Sequence, residues 1–323
     1  LLASDRSPLT WRPDIVHCND WQSGLTPAYL HFEHGAKPPS IITIHNLAFQ
    51  GIFPPENLPW LSLPATSFQI NGLEYYGNIS FLKAGLYYAD RITTVSPTYA
   101  EEIQHEPLGM GLQGLLTTRH AQLDGILNGI DDVAWNPISD PHLAAHYNAD
   151  DIAKKRLNKI ALQEKMGLSV DGEVPLLGVV SRLTDQKGID LIVQIIPALI
   201  ARGCQLALLG SGEAATENAL LQFSKQNPGQ IAVKIGFDEG LSHLITAGID
   251  MFLMPSRFEP CGLNQMYSQR YGSPPIVSAT GGLADTVTDS DDETIASRQA
   301  TGVVFDDLSA KGLLAAIDRA LAY

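Results

Sequence analysis

Cysteines, basic residues and long apolar runs are all scarce in this chain of 323 residues. Its three cysteines, Cys18, Cys204 and Cys261, form an odd set without paired spacing, which argues against a disulfide framework and favours a reducing compartment. Only 21 lysines and arginines oppose 35 aspartates and glutamates, giving a net charge of −14 without any basic run. Because nucleic acids are bound through basic surfaces, they are excluded as the main partner.

No apolar run reaches the length that spans a membrane. Residues 1–11 contain neither the charged region nor the apolar segment of a secretory signal, so we expect a cytoplasmic protein that does not bind membranes. The stretch also lacks an initiator methionine and begins abruptly, from which we expect an incomplete N-terminal portion. The chain does have 45% hydrophobic and 17% charged residues and enough length for two globular domains.

The second half of the chain alternates short apolar runs with segments of helical apolar spacing. The runs predict strands at 175–180, 205–209, 231–235, 251–254, 275–278 and 303–305, and the segments predict helices at 189–200, 213–226, 239–247, 262–271 and 309–323. This alternation predicts a parallel sheet covered on both faces. Ligands of such sheets bind outside the carboxyl ends of the strands, where the chain places Arg182, Gly210, Gly236, Ser256 and Thr280.

The first half follows the same pattern less regularly. Strands are predicted at 15–17, 41–45, 91–95 and 126–127, and helices at 24–31 and 79–88. A short turn at Asn128-Gly129 separates the halves, so we predict an α/β protein with Rossmann-like domains at 1–128 and 129–323.

Two motifs that often bind cofactors or metals, G-x-G-x-x-G and D-x-D, have simpler structural interpretations in this chain. Residues 109–114 match G-x-G-x-x-G, but a polar segment precedes them instead of a strand, which predicts a glycine-rich loop and no dinucleotide cofactor. Residues 289–292 contain D-x-D within an acidic stretch, which predicts a solvated loop. No other cluster has the spacing of metal ligands, so we expect neither a metal nor another cofactor.

Three loops that follow strands in the second half carry candidate ligand groups. The loop at 181–188 places Arg182 and Lys187 before a helix start at Gly188, which favours an anion site, although a surface turn with two solvated cations has the same pattern. Glu259 lies in the next such loop and either accepts hydrogen bonds from sugar hydroxyls or serves as a carboxylate at a helix start. The glycine turn at 280–283 either approaches a phosphate or is a plain tight turn.

In the first half, two predicted strands end at histidines that are followed by polar residues. Asp20 and Trp21 follow His17, and Asn46 follows His45. Together Asp20, Trp21, His45 and Asn46 have the hydrogen-bonding groups and the aromatic face of a sugar pocket, although each histidine alone could be a satisfied core residue.

Seven segments, in this order, resemble the glycogen/starch synthases of glycosyltransferase family 5. They are HCNDW (17–21), TIHNLAFQG (43–51), SFLKAGLYYADRITTVSPTYAEEI (80–103), LNGID (127–131), SRLTDQKG (181–188), SRFEPCGLNQMY (256–267) and TGGLADTV (280–287). The resemblance implies a GT-B fold, in which two Rossmann-like domains face each other across a cleft. It also implies metal-independent transfer of glucose from ADP-glucose to the non-reducing end of an α-1,4-glucan, with retention of configuration.

The resemblance assigns site residues by motif position. Arg182 and Lys187 would neutralise the leaving diphosphate, and Glu259 would contact the donor glucose. His45 would lie beside the glucose, with its backbone carbonyl near the developing positive charge, and Phe237 would pack against the adenine. The full substrate-binding set that it implies is Asp20, Trp21, Asn46, Asn128, Gly236, Phe237, Cys261, Gly262, Leu263, Thr280, Gly281 and Gly282.

The chain departs from the family at both ends. The lysine-bearing glycine loop, K-x-G-G-L, is missing before residue 17, and the helices expected at the other end stop at Tyr323, so we expect a truncated chain whose own activity is in doubt. UDP-glucose as donor, an α-glucan phosphorylase, and an inactive glucan-binding fragment stay open as alternatives. The oligomeric state is not specified by the sequence.

Overall fold

The computed structural model describes residues 10–322, which form two compact units that meet in the chain between Asn128 and Gly129. Residues 1–9, which include most of the stretch that we predict to begin abruptly, and Tyr323 lie outside the described residues. Among the helices within 10–322, none is long and apolar enough to cross a membrane.

The first unit is built on a parallel sheet. Its strands are β1 (Val16–Asn19), β2 (Ser40–Ile44), β6 (Arg91–Thr94) and β7 (Leu123–Gly125), in the order β1-β2-β6-β7. Short antiparallel strands β3 (Ile52–Phe53), β4 (Glu74–Tyr75) and β5 (Asn78–Ser80) form a second sheet in the order β3-β5-β4. The helices are α1 (Thr26–Phe32), α2 (Phe81–Tyr88), α3 (Pro97–Glu102) and α4 (Gln113–Thr118).

Local sequence explains where these elements start. The hydroxyl of Ser80 accepts a hydrogen bond from the amide of Lys83 at 3.1 Å and caps α2. Ser96 caps α3 in the same way through Tyr99 at 2.8 Å, with Pro97 at the first helical position. The buried side chains of β2 and α2 then form one core with their neighbours in β1 and β6.

The predicted strand at 126–127 is wrong. The strand is Leu123–Gly125, which pairs with β6, and Ile126 and Leu127 are exposed beyond it. Both residues are apolar, as strand residues often are, but they come after the last paired residue of β7. The amide of Ile126 makes one further hydrogen bond, to the carbonyl of Thr94 at 2.8 Å. The segment at 79–80 also belongs to β5 and not to the following helix.

The second unit contains a six-stranded parallel sheet. Its strands are β8 (Leu176–Leu183), β9 (Gln205–Gly212), β10 (Ile231–Ile235), β11 (Met251–Met254), β12 (Pro275–Ser278) and β13 (Val303–Phe305). The helices are α5 (Lys155–Met166), α6 (Ile189–Ala201), α7 (Ala214–Gln226), α8 (Glu239–Gly248), α9 (Asn264–Arg270), α10 (Gly281–Thr286), α11 (Asp292–Ala296) and α12 (Ala310–Leu321). One buried cluster lies between the sheet and α6, α7 and α12, and a second lies on the side of α5 and α8.

The strand order of this sheet, β10-β9-β8-β11-β12-β13, reverses direction between β8 and β11. From β8 the chain moves outward to β9 and β10, and then returns to β11 and moves outward the other way. In open parallel sheets this reversal leaves a crevice at the carboxyl ends of the two strands, where ligands bind. The fold therefore places the loops after β8 and β11 side by side.

Residues of the G-x-G-x-x-G and D-x-D motifs make local structural contacts. In the glycine-rich loop, the carbonyl of Met110 accepts hydrogen bonds from Tyr75 at 2.6 Å and Gln50 at 3.0 Å. In the D-x-D segment, Asp289 pairs with Arg319 at 2.8 Å, and Asp291 caps α11. Within the described part of the chain, no group of three or more His, Cys, Asp or Glu side chains could hold a metal ion.

Candidate functional site

Two charged side chains meet at the reversal point of the second unit. Lys187 ends a single 3-10 turn after β8, and Glu259 lies in the loop after β11. The Lys187 ammonium donates a hydrogen bond to Glu259 Oε2, which also accepts one from the hydroxyl of Ser256 at 3.1 Å. These side chains are 17% and 7% exposed, so the pair is largely removed from water.

The backbone holds the two loops together. Gly188 has φ of +65° at the start of α6, and a β-carbon at this position would overlap the carbonyl oxygen of Pro255. Arg257 strengthens the junction, because its guanidinium donates to both carboxylate oxygens of Asp190 at 2.7 and 2.8 Å. These hydrogen bonds lower the pKa of Asp190. Arg257 is therefore engaged in structure, whereas Lys187 lies beside the crevice.

A cavity of about 350 Å³ opens at the carboxyl ends of β8, β9 and β10. Lys187 lines a separate space of about 20 Å³, which shares Val180, Ser181 and Asn264 with this cavity. Arg182, at the end of β8, is exposed on the rim of the larger cavity and donates to Gln186 at 3.3 Å. The other lining residues come from the ends of β8, β9 and β10 and from α8, α9 and the loop before α5: Trp135, Val180, Ser181, Leu209, Gly210, Ser211, Gly236, Phe237, Glu239, Ser242, Thr246 and Asn264. The cavity thus combines a cation with aromatic and hydrogen-bonding groups, which suits an anionic ligand that carries an apolar part.

The glycine turn after β12 packs against the loop of Glu259. The amide of Gly282 donates to the carbonyl of Glu259 at 3.0 Å, and a β-carbon at Gly282 would overlap the backbone of Cys261. Thr280 and Gly281 are buried beside it. The turn therefore supports the loop of Glu259, and contact of its residues with phosphate stays a prediction.

The remaining predicted residues of this unit differ in exposure. Cys261 is buried, which fits a packed thiol, and Gly262 has φ of +71° beside it. Leu263 is exposed. Gly236 and Phe237 follow β10 at the cavity, where the Phe237 ring is 89% exposed and can pack against a planar ligand.

The first unit brings its predicted residues together at the ends of β1 and β2. Asp20 has φ of +53°, and its Oδ1 accepts hydrogen bonds from the amides of His45 at 2.8 Å and Asn46 at 3.4 Å. The His45 ring nitrogen Nε2 lies 2.9 Å from Asn19 Oδ1. Asp20 therefore fixes the backbone that carries His45, and the His45 ring remains exposed.

Trp21 and Asn128 lie in different surroundings. The Trp21 indole is half-buried against Phe53, with ring centroids 6.0 Å apart, and a β-carbon at Gly51 would overlap it. The indole thus contributes to local packing as well as offering an edge to solvent. Asn128 is exposed three residues after β7.

Several cavity residues were not predicted from sequence. Trp135 follows the LNGID segment, and Glu239, Ser242 and Thr246 share one face of α8 at helical spacing. Asn264 donates to the carbonyl of Val180 at 2.7 Å across the gap between β8 and α9. Because α8 follows the end of a strand, the sequence could have predicted that its polar face borders a ligand site. Trp135 lies in a loop without any periodic pattern, so no comparable signal indicated its position.

The chain matches two family models. The starch synthase catalytic domain matches residues 3–118, and the glycosyl transferases group 1 family matches residues 163–322. Among curated proteins, a glycogen synthase of Nitrosospira multiformis is 60% identical over 322 residues, which are 100% of this chain and 65% of that protein. A glycogen synthase of Nitrosomonas europaea is 58% identical over 99% of this chain and 65% of its own length.

Solved structures agree with these matches. The catalytic domain of starch synthase IV from Arabidopsis thaliana, bound to ADP and acarbose, superposes with a TM-score of 0.89 at 36% identity, covering 96% of this chain and 65% of that one. A sucrose-phosphate synthase from Thermosynechococcus elongatus, at 21% identity and a TM-score of 0.58, shares the fold alone.

The predicted GT-B fold class is confirmed by this similarity and by the two parallel α/β sheets. The chain spans about 65% of the length of the curated relatives that it matches. It belongs to the glycogen/starch synthase family of glycosyltransferases.

Proposed function

We propose that the protein transfers glucose from ADP-glucose to the 4-hydroxyl at the non-reducing end of an α-1,4-glucan such as glycogen, with retention of configuration. The observation that carries this proposal is that the Lys187–Glu259 pair and the cavity that Arg182 borders lie at the same carboxyl edge of the sheet, where its strand order reverses. Support also comes from relatives named glycogen synthase and from the plant structure that holds ADP and acarbose.

Cleavage of the glycosyl–phosphate bond leaves an anionic diphosphate and an oxocarbenium-like sugar. Arg182 and Lys187 stabilise that anion, because fixed cations act strongly in a site from which water is partly excluded. The ammonium of Lys187 has three donors, so it can keep its bond to Glu259 while donating to a phosphate oxygen. Glu259 in turn holds Lys187 and accepts hydrogen bonds from hydroxyls of the donor glucose.

The donor nucleotide occupies the cavity of the second unit, with the adenine against Phe237 and the diphosphate towards Arg182. Gly236, Cys261, Gly262, Leu263, Thr280, Gly281 and Gly282 form the surrounding backbone and packing in this proposal. In the first unit, Asp20, Trp21, Asn46 and Asn128 line the glucose and acceptor side, and the carbonyl of His45 stabilises developing positive charge. We assign no carboxylate as a nucleophile, so retention follows a front-face route.

The three buried free thiols favour a reducing compartment, and we propose the cytoplasm as the location. No nucleic-acid or membrane partner enters the proposal, and it requires no cofactor.

Transfer of labelled glucose from ADP-glucose to glycogen tests the proposal. Arg182→Ala and Lys187→Ala should each lower the rate by about 10²–10³-fold, because each removes a cation that stabilises the leaving group. Lys234→Ala is a matched control, since Lys234 is an exposed lysine on the same sheet. Unchanged rates in both site variants would show that the site is assigned wrongly.

Three other measurements distinguish the alternative functions. Release of UDP from UDP-glucose in preference to ADP from ADP-glucose would indicate the other donor. Glucan binding without turnover of either donor would indicate a glucan-binding protein, and a Schiff-base absorbance band would indicate a pyridoxal-dependent phosphorylase.

A further inference from the structure

Trp135 is held between two rings at the wall of the cavity. Its centroid lies 3.7 Å from that of His243, at an interplanar angle of 13°, and 3.9 Å from that of Tyr267, at 4°. Two rings that both stack on the indole at this distance cannot occupy the same face. Trp135 is therefore sandwiched, and only its edges remain to line the cavity.

A buried carboxylate fixes one side of this sandwich. His243 Nδ1 lies 2.7 Å from Asp140 Oδ2, which also accepts a hydrogen bond from the hydroxyl of Tyr271 at 2.6 Å. The amide of His142 donates to the other carboxylate oxygen, Asp140 Oδ1, at 2.9 Å. Asp140 and His243 are 1% and 4% exposed, so the carboxylate has exchanged water for these three partners. Burial, together with the Asp140 contact, raises the pKa of Tyr271, which keeps its hydroxyl as a donor. The imidazole therefore has one fixed orientation.

The backbone before Trp135 is also fixed. Asp131, the last residue of the LNGID segment, accepts hydrogen bonds on its side chain from the amides of Val133 at 3.0 Å and Ala134 at 2.9 Å. Its carbonyl accepts a further bond from the amide of Trp135 at 2.9 Å. These bonds close a turn that orients the indole without any ligand, and the two amide bonds lower the pKa of Asp131.

The same helix carries the sandwich and the cavity. His243 lies on α8 between Ser242 and Thr246, and both of these line the cavity together with Glu239. Ser242 donates its hydroxyl hydrogen to the carbonyl of Glu239, and Thr246 donates to that of Ser242, so each presents its oxygen as an acceptor. A shift of α8 would move the indole and this acceptor face together.

We propose that Trp135 is a wall of the nucleotide site, and that Asp140 and His243 are positioning residues that hold its indole ready for a nucleoside diphosphate. The proposal rests on the proposed function and adds residues to the donor site. A preformed aromatic wall strengthens binding because the side chain is already ordered before the ligand arrives. The competing explanation is that the sandwich only anchors the loop before α5.

Calorimetric titration of ADP into the chain tests the wall. Trp135→Ala should raise the Kd for ADP by about tenfold, and Trp135→Phe, which can still stack, should stay within about threefold of wild type. Trp60→Ala is the matched control, because Trp60 is 85% exposed in the other unit. An unchanged Kd in Trp135→Ala would overturn this part of the proposal.

Fluorescence tests the positioning. The emission of Trp135, obtained as the difference between wild type and Trp135→Phe, should change when ADP binds and should show high anisotropy before it binds. His243→Ala should lower that anisotropy and weaken ADP binding, and His243→Phe, which keeps a ring for stacking, should restore most of both. His243→Phe fills the space that His243→Ala would leave empty. The test can therefore still be made with His243→Phe if His243→Ala does not fold.

The outcomes separate the two proposals. If wild type does not bind ADP, the donor-site assignment fails, whereas the anisotropy of the His243 variants still decides whether His243 holds the indole. If wild type binds ADP but the His243 variants retain both affinity and anisotropy, the positioning role is wrong and the donor site stands.

Discussion

Lys187 donates a hydrogen bond to the carboxylate of Glu259, a residue 72 positions further along the chain. The fold brings them together because β8 and β11 are neighbours at the point where the strand order reverses. Each charge has therefore lost most of its water and is compensated by the other. This mutual dependence is the basis of the first prediction.

Lys187→Ala and Glu259→Ala should each lower the free energy of unfolding by about 3 kcal/mol, since either leaves an unpaired charge in a largely buried position. The double variant should lose much less than the sum. Denaturant unfolding of all four proteins gives the coupling energy. Arg202 and Asp318 form an exposed pair for comparison, and their coupling should be below about 1 kcal/mol. A coupling near zero for Lys187 and Glu259 would refute the prediction.

Gly188→Ala should destabilise the protein more than Gly203→Ala does. Both glycines have positive φ, of 65° and 73°, so each alanine variant carries the backbone cost of about 1–2 kcal/mol. Only at Gly188 does the new methyl group also overlap the carbonyl of Pro255, whereas Gly203 has open space around it. Thermal unfolding of the two variants compares the effects. Equal losses would show that the loops after β8 and β11 are not in close backbone contact.

Lys155 should make stability depend on pH. Its ammonium donates to the carbonyls of Ala247 at 2.7 Å and Ile249 at 2.6 Å, and burial lowers the pKa of Lys155 to about 7. The unfolded chain therefore holds this proton over a range in which the folded chain has released it. The free energy of unfolding should rise with pH from about 7 towards the unfolded pKa, by at most about 1.4 kcal/mol per pH unit.

Unfolding of wild type and Lys155→Met between about pH 7 and pH 9 measures this contribution, as the difference between their slopes. Lys154→Met, at an exposed neighbour in the chain, reports the effect of losing one surface charge. Parallel profiles for wild type and Lys155→Met would contradict the lowered pKa.

Asp289→Ala should lower stability without affecting the proposed donor site. The carboxylate of Asp289 pairs with Arg319 and accepts a hydrogen bond from the amide of Val304 at 2.6 Å. Removal of this carboxylate leaves Arg319 and the Val304 amide without this acceptor. The affinity for ADP should stay at the wild-type value, with or without a chelator. A drop in affinity on chelation that Asp289→Ala abolishes would instead identify D-x-D as a metal site.

The strands of the second unit are the best-predicted part of the fold. Segments 231–235, 251–254, 275–278 and 303–305 have the same bounds in the sequence prediction and in the structure. Strands that are covered on both faces consist of continuous apolar residues, so the change to polar residues marks their ends in the sequence. By contrast, β3 and β4 have two residues each, too few for any period to be visible.

The candidate site was predictable where its residues follow such strands. Arg182, Lys187 and Glu259 each lie just after an apolar run, so parallel topology alone brings them to one edge. Trp135, His243 and Tyr267 meet through a loop and two helices that are far apart in the chain, and no local pattern encodes that meeting. The supporting role of Gly282 was equally hidden, because it depends on the backbone path of Cys261.

The backbone contacts at Gly188 and Gly282 have a consequence for engineering. These loops touch each other through their main chains, which leaves little freedom for insertion or remodelling. A redesign of the proposed donor site would therefore have to change side chains on a fixed backbone. The face of α8 that carries Glu239, Ser242 and Thr246 offers that freedom. If the donor nucleotide binds there as proposed, exchanging acceptors for donors on this face should change which base is favoured, while the frame around Lys187 stays in place.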